Sequence, residues 1–196
     1  HWWSCSCQCL QELLKCLRDQ GSSADCIAGM AIDSTSGTVL AIDQNGVPLC
    51  PAIMHNDTRS QAEAEECNQA GSELISKMGY RFNYGFGLPK ILWLLRNVPE
   101  VADKAERFVH AADYIIGCLT GDFGVSHTSN TLKTGFDCVA GEWPDFIERS
   151  LGIPISKLPR VLSQSEKAGV VSRAASAATG LAPGTPVVIG MTDGVA

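Results

Sequence analysis

An aspartate near the end of the chain is the strongest candidate for chemistry. Asp193 lies just past an apolar run, Pro186–Gly190, that is predicted to form a strand, and Gly194 follows it. Open α/β sheets bind ligands beyond the carboxyl ends of their strands, and a neighbouring glycine keeps the backbone unobstructed. A carboxylate in this place can take a proton from a bound ligand, or it can cap a following helix. The two roles can coexist.

A cluster of hydroxyl side chains is the second candidate. Ser34, Thr35 and Ser36 follow Asp33 between two apolar runs. Hydroxyl groups both donate and accept hydrogen bonds, which is what binding of a polyol requires. The alternative is a plain turn, in which Ser and Thr are frequent. Asp33 is predicted either to reach a sugar hydroxyl or to pair with a backbone amide.

Two residues of opposite charge lie close together after the segment Pro51–Met54. Asp57 and Arg59 are two positions apart and are predicted to form an ion pair in the wall of a pocket, where a structural role and a ligand contact are both open. The histidines His55 and His110 have no partner that the sequence identifies. We expect both histidines to be ordinary.

A sheet is needed to position these groups, and the apolar runs predict one. Ile27–Ile32 and Thr38–Asp43 are predicted to be buried strands, and Asn45-Gly46 is typical of a tight hairpin turn. The stretch Ile27–Arg59 is therefore predicted to be a β-meander. Helical patterns alternate with such strands, so the class is α/β. The predicted helices are Trp3–Arg18, Ser60–Glu66, Lys90–Arg96, Val101–Phe108 and Ala111–Gly121.

The segment Trp3–Arg18 is predicted to be an amphipathic helix that packs on the sheet, because leucines recur in it at helical spacing. These leucines are Leu10, Leu13, Leu14 and Leu17. Potential soft metal ligands also lie here, namely His1, Cys5, Cys7, Cys9 and Cys16. Structural zinc sites usually pair cysteines two to four residues apart and take a second pair from elsewhere. We therefore prefer a cysteine-rich helix without a metal.

The cysteines elsewhere in the chain are expected to be reduced. Cys26, Cys50, Cys118 and Cys138 lie beside apolar residues in predicted elements, where a thiol behaves as a small hydrophobic group. Reduced cysteines indicate an intracellular or organellar compartment, either the cytoplasm or the plastid stroma.

Charge and hydropathy exclude two classes of partner. The formal net charge is -6, and the 15 basic residues are scattered, whereas nucleic-acid phosphates require clustered Lys and Arg. No apolar run approaches the roughly 20 residues of a membrane-spanning helix. We expect a small-molecule partner, and the oligomeric state stays open.

Motifs spread over the chain together resemble the FGGY family of carbohydrate kinases. In order, they are the strand ending in Asp33–Ser36, the strand ending in Asp43, the Asn-Gly turn, Pro-Ala-Ile, Asn-Asp-x-Arg, Pro-Lys-x-x-Trp-Leu, Pro-Glu, Asp-Tyr, Leu-Thr-Gly and the Gly-x-x-Asp that ends at Asp193. The Asp33-Ser34-Thr35-Ser36 form is most similar to the pentulose kinases, which act on D-ribulose or D-xylulose.

The resemblance implies a fold and a set of roles. The fold would be the ribonuclease-H-like, actin-like α/β fold, with residues 1–196 forming an incomplete N-terminal, sugar-binding domain. Asp193 would be the general base that takes the proton from the hydroxyl attacking the γ-phosphate of ATP. Ser34, Thr35 and above all Ser36 would line the sugar pocket, and Lys133 would face the substrate. ATP and Mg²⁺ would be the cofactors.

Other parts of the family pattern are missing from these residues. Family members hold ATP with an N-terminal Asp-x-Gly-Thr hairpin and a glycine-rich C-terminal domain, and neither motif is present. We therefore expect ATP and Mg²⁺ to be bound mainly outside this chain, which alone would be inactive. The alternatives are a non-catalytic sugar-binding fragment and a family kinase for another polyol or ketose. Glycerol is disfavoured, since glycerol kinases would place Arg-Glu where Ser34–Ser36 stands.

One position departs from the family pattern. Family members usually carry Ser-Asp or Thr-Asp where this chain has Ser126-His127. A carboxylate role at this position is therefore lost. A local hydrogen-bonding role is still compatible with histidine.

Overall fold

The computed structural model describes residues 1–164 and 166–194, in which helices alternate with short strands. This arrangement confirms the predicted α/β class. The helices are α1 (Trp2–Asp19), α2 (Gln61–Ala70), α3 (Ser72–Met78), α4 (Gly87–Asn97), α5 (Pro99–Lys104), α6 (Ala111–Thr120), α7 (Thr128–Thr131), α8 (Phe146–Arg149) and α9 (Arg173–Thr179), with single 3₁₀ turns at Ala24–Cys26, Leu132–Thr134 and Ile155–Lys157. The strands are β1 (Met30–Ala31), β2 (Leu40–Ile42), β3 (Arg107–Val109), β4 (Val125–His127), β5 (Arg160–Leu162), β6 (Lys167–Val170) and β7 (Pro186–Val188).

The pairing of β1 with β7 sets the geometry of the candidate site. These strands run parallel, with Met30 opposite Val187, and β6 adds to β7 in the antiparallel direction. Two smaller pairs are β2 with β3, antiparallel, and β4 with β5, parallel. Because β1 and β7 run in the same direction, the segments that follow them leave the sheet at the same edge.

The predicted β-meander over Ile27–Arg59 is wrong in its first half, whereas antiparallel bridges such as Val39 with Ile53 confirm the hairpin in its second half. β1 and β2 belong to separate sheets, and β1 is an edge strand whose Ala31 is exposed. Alternating apolar runs indicate strands but do not name their partners, and the partner of β1 comes from the far end of the sequence. The Asn45-Gly46 turn is confirmed, since Gly46 has φ 76° and the Asp43 amide donates to the Val47 carbonyl at 2.9 Å.

Most of the predicted helices are confirmed, and one is wrong in its second half. Pro89 lies in the first turn of α4, where its missing N–H has no cost. The predicted helix Val101–Phe108 ends instead at Lys104, and Phe108 lies in β3 opposite Ala41. Phe108 is buried there, so pairing with β2 overrides the local helical pattern.

Two neighbouring leucines of helix α1 differ greatly in their exposure to solvent. Leu14 is 1% exposed and shares a core with Ile116 of α6, Ala175 of α9 and Val187 of β7. Leu13 was predicted on the same face but is 60% exposed. The buried stripe of α1 is therefore narrower than the leucine spacing indicates. Among the described helices, none has both the length and the apolar character needed to cross a lipid bilayer.

We predict a large difference between two adjacent leucine variants. Leu14→Ala should lower the free energy of unfolding by about 2–5 kcal/mol, because it removes buried methyl groups and leaves a cavity. Leu13→Ala, on the exposed side of the same helix turn, should change it by about 0.5 kcal/mol or less. Urea unfolding followed by circular dichroism measures both, and equal losses would contradict the packing of α1.

Candidate active site

The carboxyl ends of β1 and β7 bring the two main candidate segments together. Ser34 forms a parallel bridge with Thr192, the Ser34 amide donates to the Met191 carbonyl at 3.4 Å, and the Asp193 amide donates to the Ser34 carbonyl at 3.1 Å. The hydroxyl cluster and Asp193 are therefore held side by side by backbone hydrogen bonds. Asp193 itself is exposed.

A cleft of about 450 Å³ opens at this edge. The residues that line it are Ser36, Thr128, Ser129, Leu132, Lys133, Cys138, Thr192 and Gly194. Two predicted sugar ligands, Ser36 and Lys133, thus face the same space. Asp193 lies between Thr192 and Gly194, which line the cleft, although it is not itself a lining residue.

Asp33 and Ser34 do not line this cleft. One carboxylate oxygen of Asp33 accepts the Met191 amide at 2.8 Å, which is the backbone alternative left open for this residue. The Ser34 hydroxyl accepts the amide of Ala112, in the first turn of α6, at 3.1 Å, and donates to the Thr35 carbonyl at 3.4 Å. Both side chains face a separate depression beside Trp2. These contacts fasten the end of β7 and the start of α6 to β1, and the sugar-binding role of the two residues stays a prediction.

The loop that carries Ser36 is held from below by a lysine that the sequence analysis missed. Lys90 is fully buried, and its ammonium donates to the Gly37 carbonyl at 2.7 Å. Gly37 has φ 76°, and a Cβ there would lie 2.1 Å from the Gly85 carbonyl oxygen, so no larger residue fits. Burial lowers the pKa of Lys90 to about 8. The sequence signal was that Lys90 falls on the helical stripe shared by Gly87, Ile91 and Leu94.

The turn that carries Lys133 is held by a buried histidine, which was predicted to be ordinary. His110 is 2% exposed, its Nδ1 lies 2.8 Å from Asp113 Oδ2, and its Nε2 lies 2.9 Å from Thr134 Oγ1. The same Asp113 oxygen accepts the His110 amide, which completes a capping box on α6. An acidic residue three positions after the cap was the available sequence signal.

The predicted ion pair between Asp57 and Arg59 is present. Arg59 Nε and Nη2 donate to the two Asp57 carboxylate oxygens at 2.9 and 2.7 Å, and the guanidinium lies 4.9 Å from the centre of the Trp93 ring. This guanidinium lowers the pKa of Asp57. Neither residue lines the cleft, and the contact with α4 indicates a structural role.

His127 retains the local hydrogen-bonding role that its position allows. It ends β4, and its Nδ1 accepts the amide of Ser129, which caps the short helix α7. Burial lowers the pKa of His127. The ring nitrogen is thus the acceptor at this helix cap.

The cysteines are all free thiols. Cys67 is buried, and burial raises its pKa to about 12, whereas Cys26, predicted to be a small hydrophobic group, is exposed. In the amino-terminal run, Cys5 Sγ lies 3.9 Å from His1 Nε2. Within residues 1–164 and 166–194, no group of three or more His, Cys, Asp or Glu side chains could hold a metal ion. The cellular compartment stays a prediction.

Comparison with known sequences decides the family. The sequence model of the FGGY family of carbohydrate kinases, N-terminal domain, matches residues 1–196. The chain belongs to the FGGY family. This family consists of carbohydrate kinases, which are phosphotransferases, and the match confirms the resemblance found in the motifs.

Individual FGGY kinases show how much of a family member this chain matches. The chain is 29% identical to the xylulose kinase of Escherichia coli K12, covering 100% of this chain and 39% of that protein. It is 29% identical to the gluconokinase of Bacillus subtilis 168, covering 86% of this chain and 33% of that protein. The solved xylulose kinase of Rhodospirillum rubrum superposes with a TM-score of 0.78 at 26% identity, covering 86% of this chain and 35% of that chain.

These comparisons confirm the ribonuclease-H-like, actin-like fold of the FGGY sugar kinases. The chain spans about a third of the length of the curated relatives it matches. FGGY kinases use ATP and a divalent metal, but the residues described here do not fit either group. The sequence contains no phosphate-binding motif, and Asp193 stands apart from any cluster of metal ligands in the described residues.

The buried Lys90 predicts a pH-dependent stability. The folded-state pKa of about 8 lies below the unfolded value near 10.5, so the unfolded chain binds more protons between these values. Stability should therefore rise with pH across this window, as the cost of burying the charge is relieved. Relative to Lys90→Met, which carries no charge, the wild-type chain should gain roughly 2–3 kcal/mol between pH 8 and 10.

Denaturant unfolding of both proteins over this pH range measures the gain. Other titrating groups are common to the two proteins and cancel in the difference. A difference that stays constant with pH would contradict the buried charge.

Proposed function

We propose that this chain forms the sugar-binding part of an ATP-dependent kinase that phosphorylates a pentulose, D-ribulose or D-xylulose. The observation that carries the proposal is the cleft at the β1–β7 edge. There Ser36 and Lys133 face one space, and Asp193 lies in the chain between two lining residues, Thr192 and Gly194. This is where an open α/β sheet binds its ligand, and the chain belongs to a family of carbohydrate kinases.

The chemistry of the cleft suits a small polyol. Lys133 offers only donors, and Ser36 offers a donor and acceptors. The cleft can therefore both donate hydrogen bonds to sugar hydroxyls and accept hydrogen bonds from them. Leu132 and Cys138 contribute apolar surface against which carbon atoms of a sugar can lie. A volume of about 450 Å³ is at the small end of ligand cavities and is wide enough for a five-carbon sugar.

In this proposal Asp193 is the general base. Its carboxylate takes the proton of the sugar hydroxyl that attacks phosphorus, and its place beyond β7 is exposed to an incoming ligand. Its backbone amide is fixed by Ser34, so the carboxylate is carried by a short, well-anchored segment. ATP and Mg²⁺ are held mainly by polypeptide outside residues 1–196, in a phosphate-binding hairpin and a C-terminal nucleotide domain.

Another sugar is the main alternative within the family. The gluconokinase of Bacillus subtilis is as similar in sequence as the xylulose kinase of Escherichia coli. The preference for a pentulose depends on the Asp33–Ser36 segment. A chain that binds sugar without turnover is the alternative from a different class.

Sugar binding by the chain tests the proposal directly. A ligand that binds only the folded state raises the melting temperature, and at a hundredfold excess over Kd it adds about 2.7 kcal/mol. We expect D-ribulose or D-xylulose, but not glycerol, ribitol or gluconate, to stabilise the 196-residue chain. Lys133→Met should abolish the shift, while Lys15→Met, on the exposed face of α1, should leave it unchanged. Selective stabilisation by gluconate would contradict the pentulose assignment.

Turnover requires the remaining parts of a kinase, which a chimera supplies. Residues 1–196 can replace the matching segment of the Escherichia coli xylulose kinase, which aligns with the whole chain. In this chimera Asp193→Asn should lower kcat by about 10²–10⁴-fold, because the base is lost while the shape is kept. Sugar affinity should change little. A variant that retained near-full kcat would overturn the role of Asp193.

A further inference from the structure

The hydrogen bonds around His127 determine which of its nitrogens carries the proton. Its Nδ1 lies 3.2 Å from the Ser129 backbone nitrogen and 2.7 Å from the Ser129 hydroxyl. A backbone N–H can only donate, so Nδ1 must be the unprotonated nitrogen. The proton of the neutral ring is then on Nε2, which lies 3.4 Å from Thr128 Oγ1. His127 is 6% exposed, so burial keeps the ring in this orientation.

The tautomer of His127 determines whether the Ser129 hydroxyl donates or accepts in the bond between them. At 2.7 Å from an unprotonated Nδ1, the hydroxyl must donate its single proton to His127. The Ser129 oxygen also accepts the amide of Thr192 at 3.0 Å. The proton of the Ser129 hydroxyl is therefore used in the bond to His127. The remaining lone pair of the Ser129 oxygen can only accept a hydrogen bond. Ser129 is half-buried and lines the same cleft as Lys133.

We propose that Ser129 is a further sugar-contacting residue, which accepts a hydrogen bond from a substrate hydroxyl because His127 holds its own proton. This inference rests on the proposed function and adds a residue that the sequence analysis did not include. Lys133 can only donate and Ser129 can only accept. Lys133 would therefore donate to a hydroxyl oxygen of the polyol, and Ser129 would accept a hydrogen bond from a polyol hydroxyl. His127 does not touch the ligand and is a positioning residue.

The same hydroxyl connects the cleft wall to the segment of Asp193. Thr192 directly precedes Asp193, and its amide is held by Ser129. The hydrogen bonds from His127 through Ser129 to Thr192 form a relay. This relay fixes both a sugar contact and the strand end that carries the proposed base. Loss of the relay should weaken sugar binding through the contact and through the position of this strand end.

Protonation of His127 in acid reverses the direction of its hydrogen bond with Ser129. Burial lowers the pKa of His127, while the charges of Asp113 on α6 and of Asp33 after β1 oppose this effect. Lys133 lines the same cleft as Ser129, and Asp193 follows Thr192 in the chain. When Nδ1 gains a proton it must donate to Ser129, and the hydroxyl turns its own proton toward the cleft as a donor. An acceptor site for the sugar is thereby lost, so affinity should fall as the pH falls below the ordinary histidine range.

Variants of the two residues separate this role from a merely structural one. In His127→Asn the amide oxygen takes the place of Nδ1 and accepts the same two donors, but it does not titrate. Ser129→Ala removes the acceptor itself. We expect the wild-type chain to lose about tenfold in affinity for its ketopentose between pH 8 and pH 5, and Ser129→Ala to be about tenfold weaker already at pH 8. His127→Asn should match the wild type at pH 8 and keep that affinity at pH 5.

Calorimetric titration of D-ribulose and D-xylulose into the 196-residue chain measures these affinities. If Ser129→Ala binds as tightly as the wild type while Lys133→Met does not bind, the inference is overturned and the proposed function stands. If the wild type binds neither sugar, the proposed function fails and the inference fails with it. Nitrogen-15 spectra of His127 give a readout without ligand, and a proton on Nδ1 at pH 8 would overturn the relay.

Discussion

The parallel pairing of β1 with β7 is the constraint on which the candidate site depends. It joins Met30 to Val187, at opposite ends of the sequence, and continues past both strands as the bridge between Ser34 and Thr192. Without this pairing Ser36 and Asp193 would have no reason to be close. The Ser34 bonds to this segment join backbone groups, and the Asp33 carboxylate adds a side-chain bond to the Met191 amide, so both kinds of bond set the position of this strand end.

Buried polar groups then position the loops around that edge. Lys90 holds the Gly37 carbonyl from beneath, and His110 holds Thr134, next to Lys133. A buried ammonium or imidazole has to be hydrogen-bonded, because leaving it unpaired away from water is costly. This requirement makes each contact specific, because the loop must place its hydrogen-bonding group opposite the buried one. Both sides of the cleft are therefore fixed from the core rather than from the surface.

The imidazole of His127 caps the short helix α7 in the way that a carboxylate commonly caps a helix. Nδ1 caps α7 as an aspartate oxygen would, since both are acceptors at similar reach along the side chain. Unlike a carboxylate, the imidazole can lose its acceptor character in mild acid. His127 thus caps this helix and places a titratable group directly behind Ser129, in the wall of the cleft.

The sequence by itself determined the family, the α/β class, most helices, the Asn45-Gly46 turn and the Asp57–Arg59 pair. The family rests on a resemblance in motifs spread along the chain, whereas the other features depend on local periodicity, turn chemistry and short spacing, which are visible in neighbouring residues. Only the tertiary structure decided which strand pairs with β1, that Phe108 lies in a strand, that Leu13 is exposed, and that Asp33 and Ser34 serve the backbone. It also found the partners of Lys90, His110 and Ser129. Each of these outcomes depends on contacts between residues distant in sequence, and no local pattern records which distant group will be there.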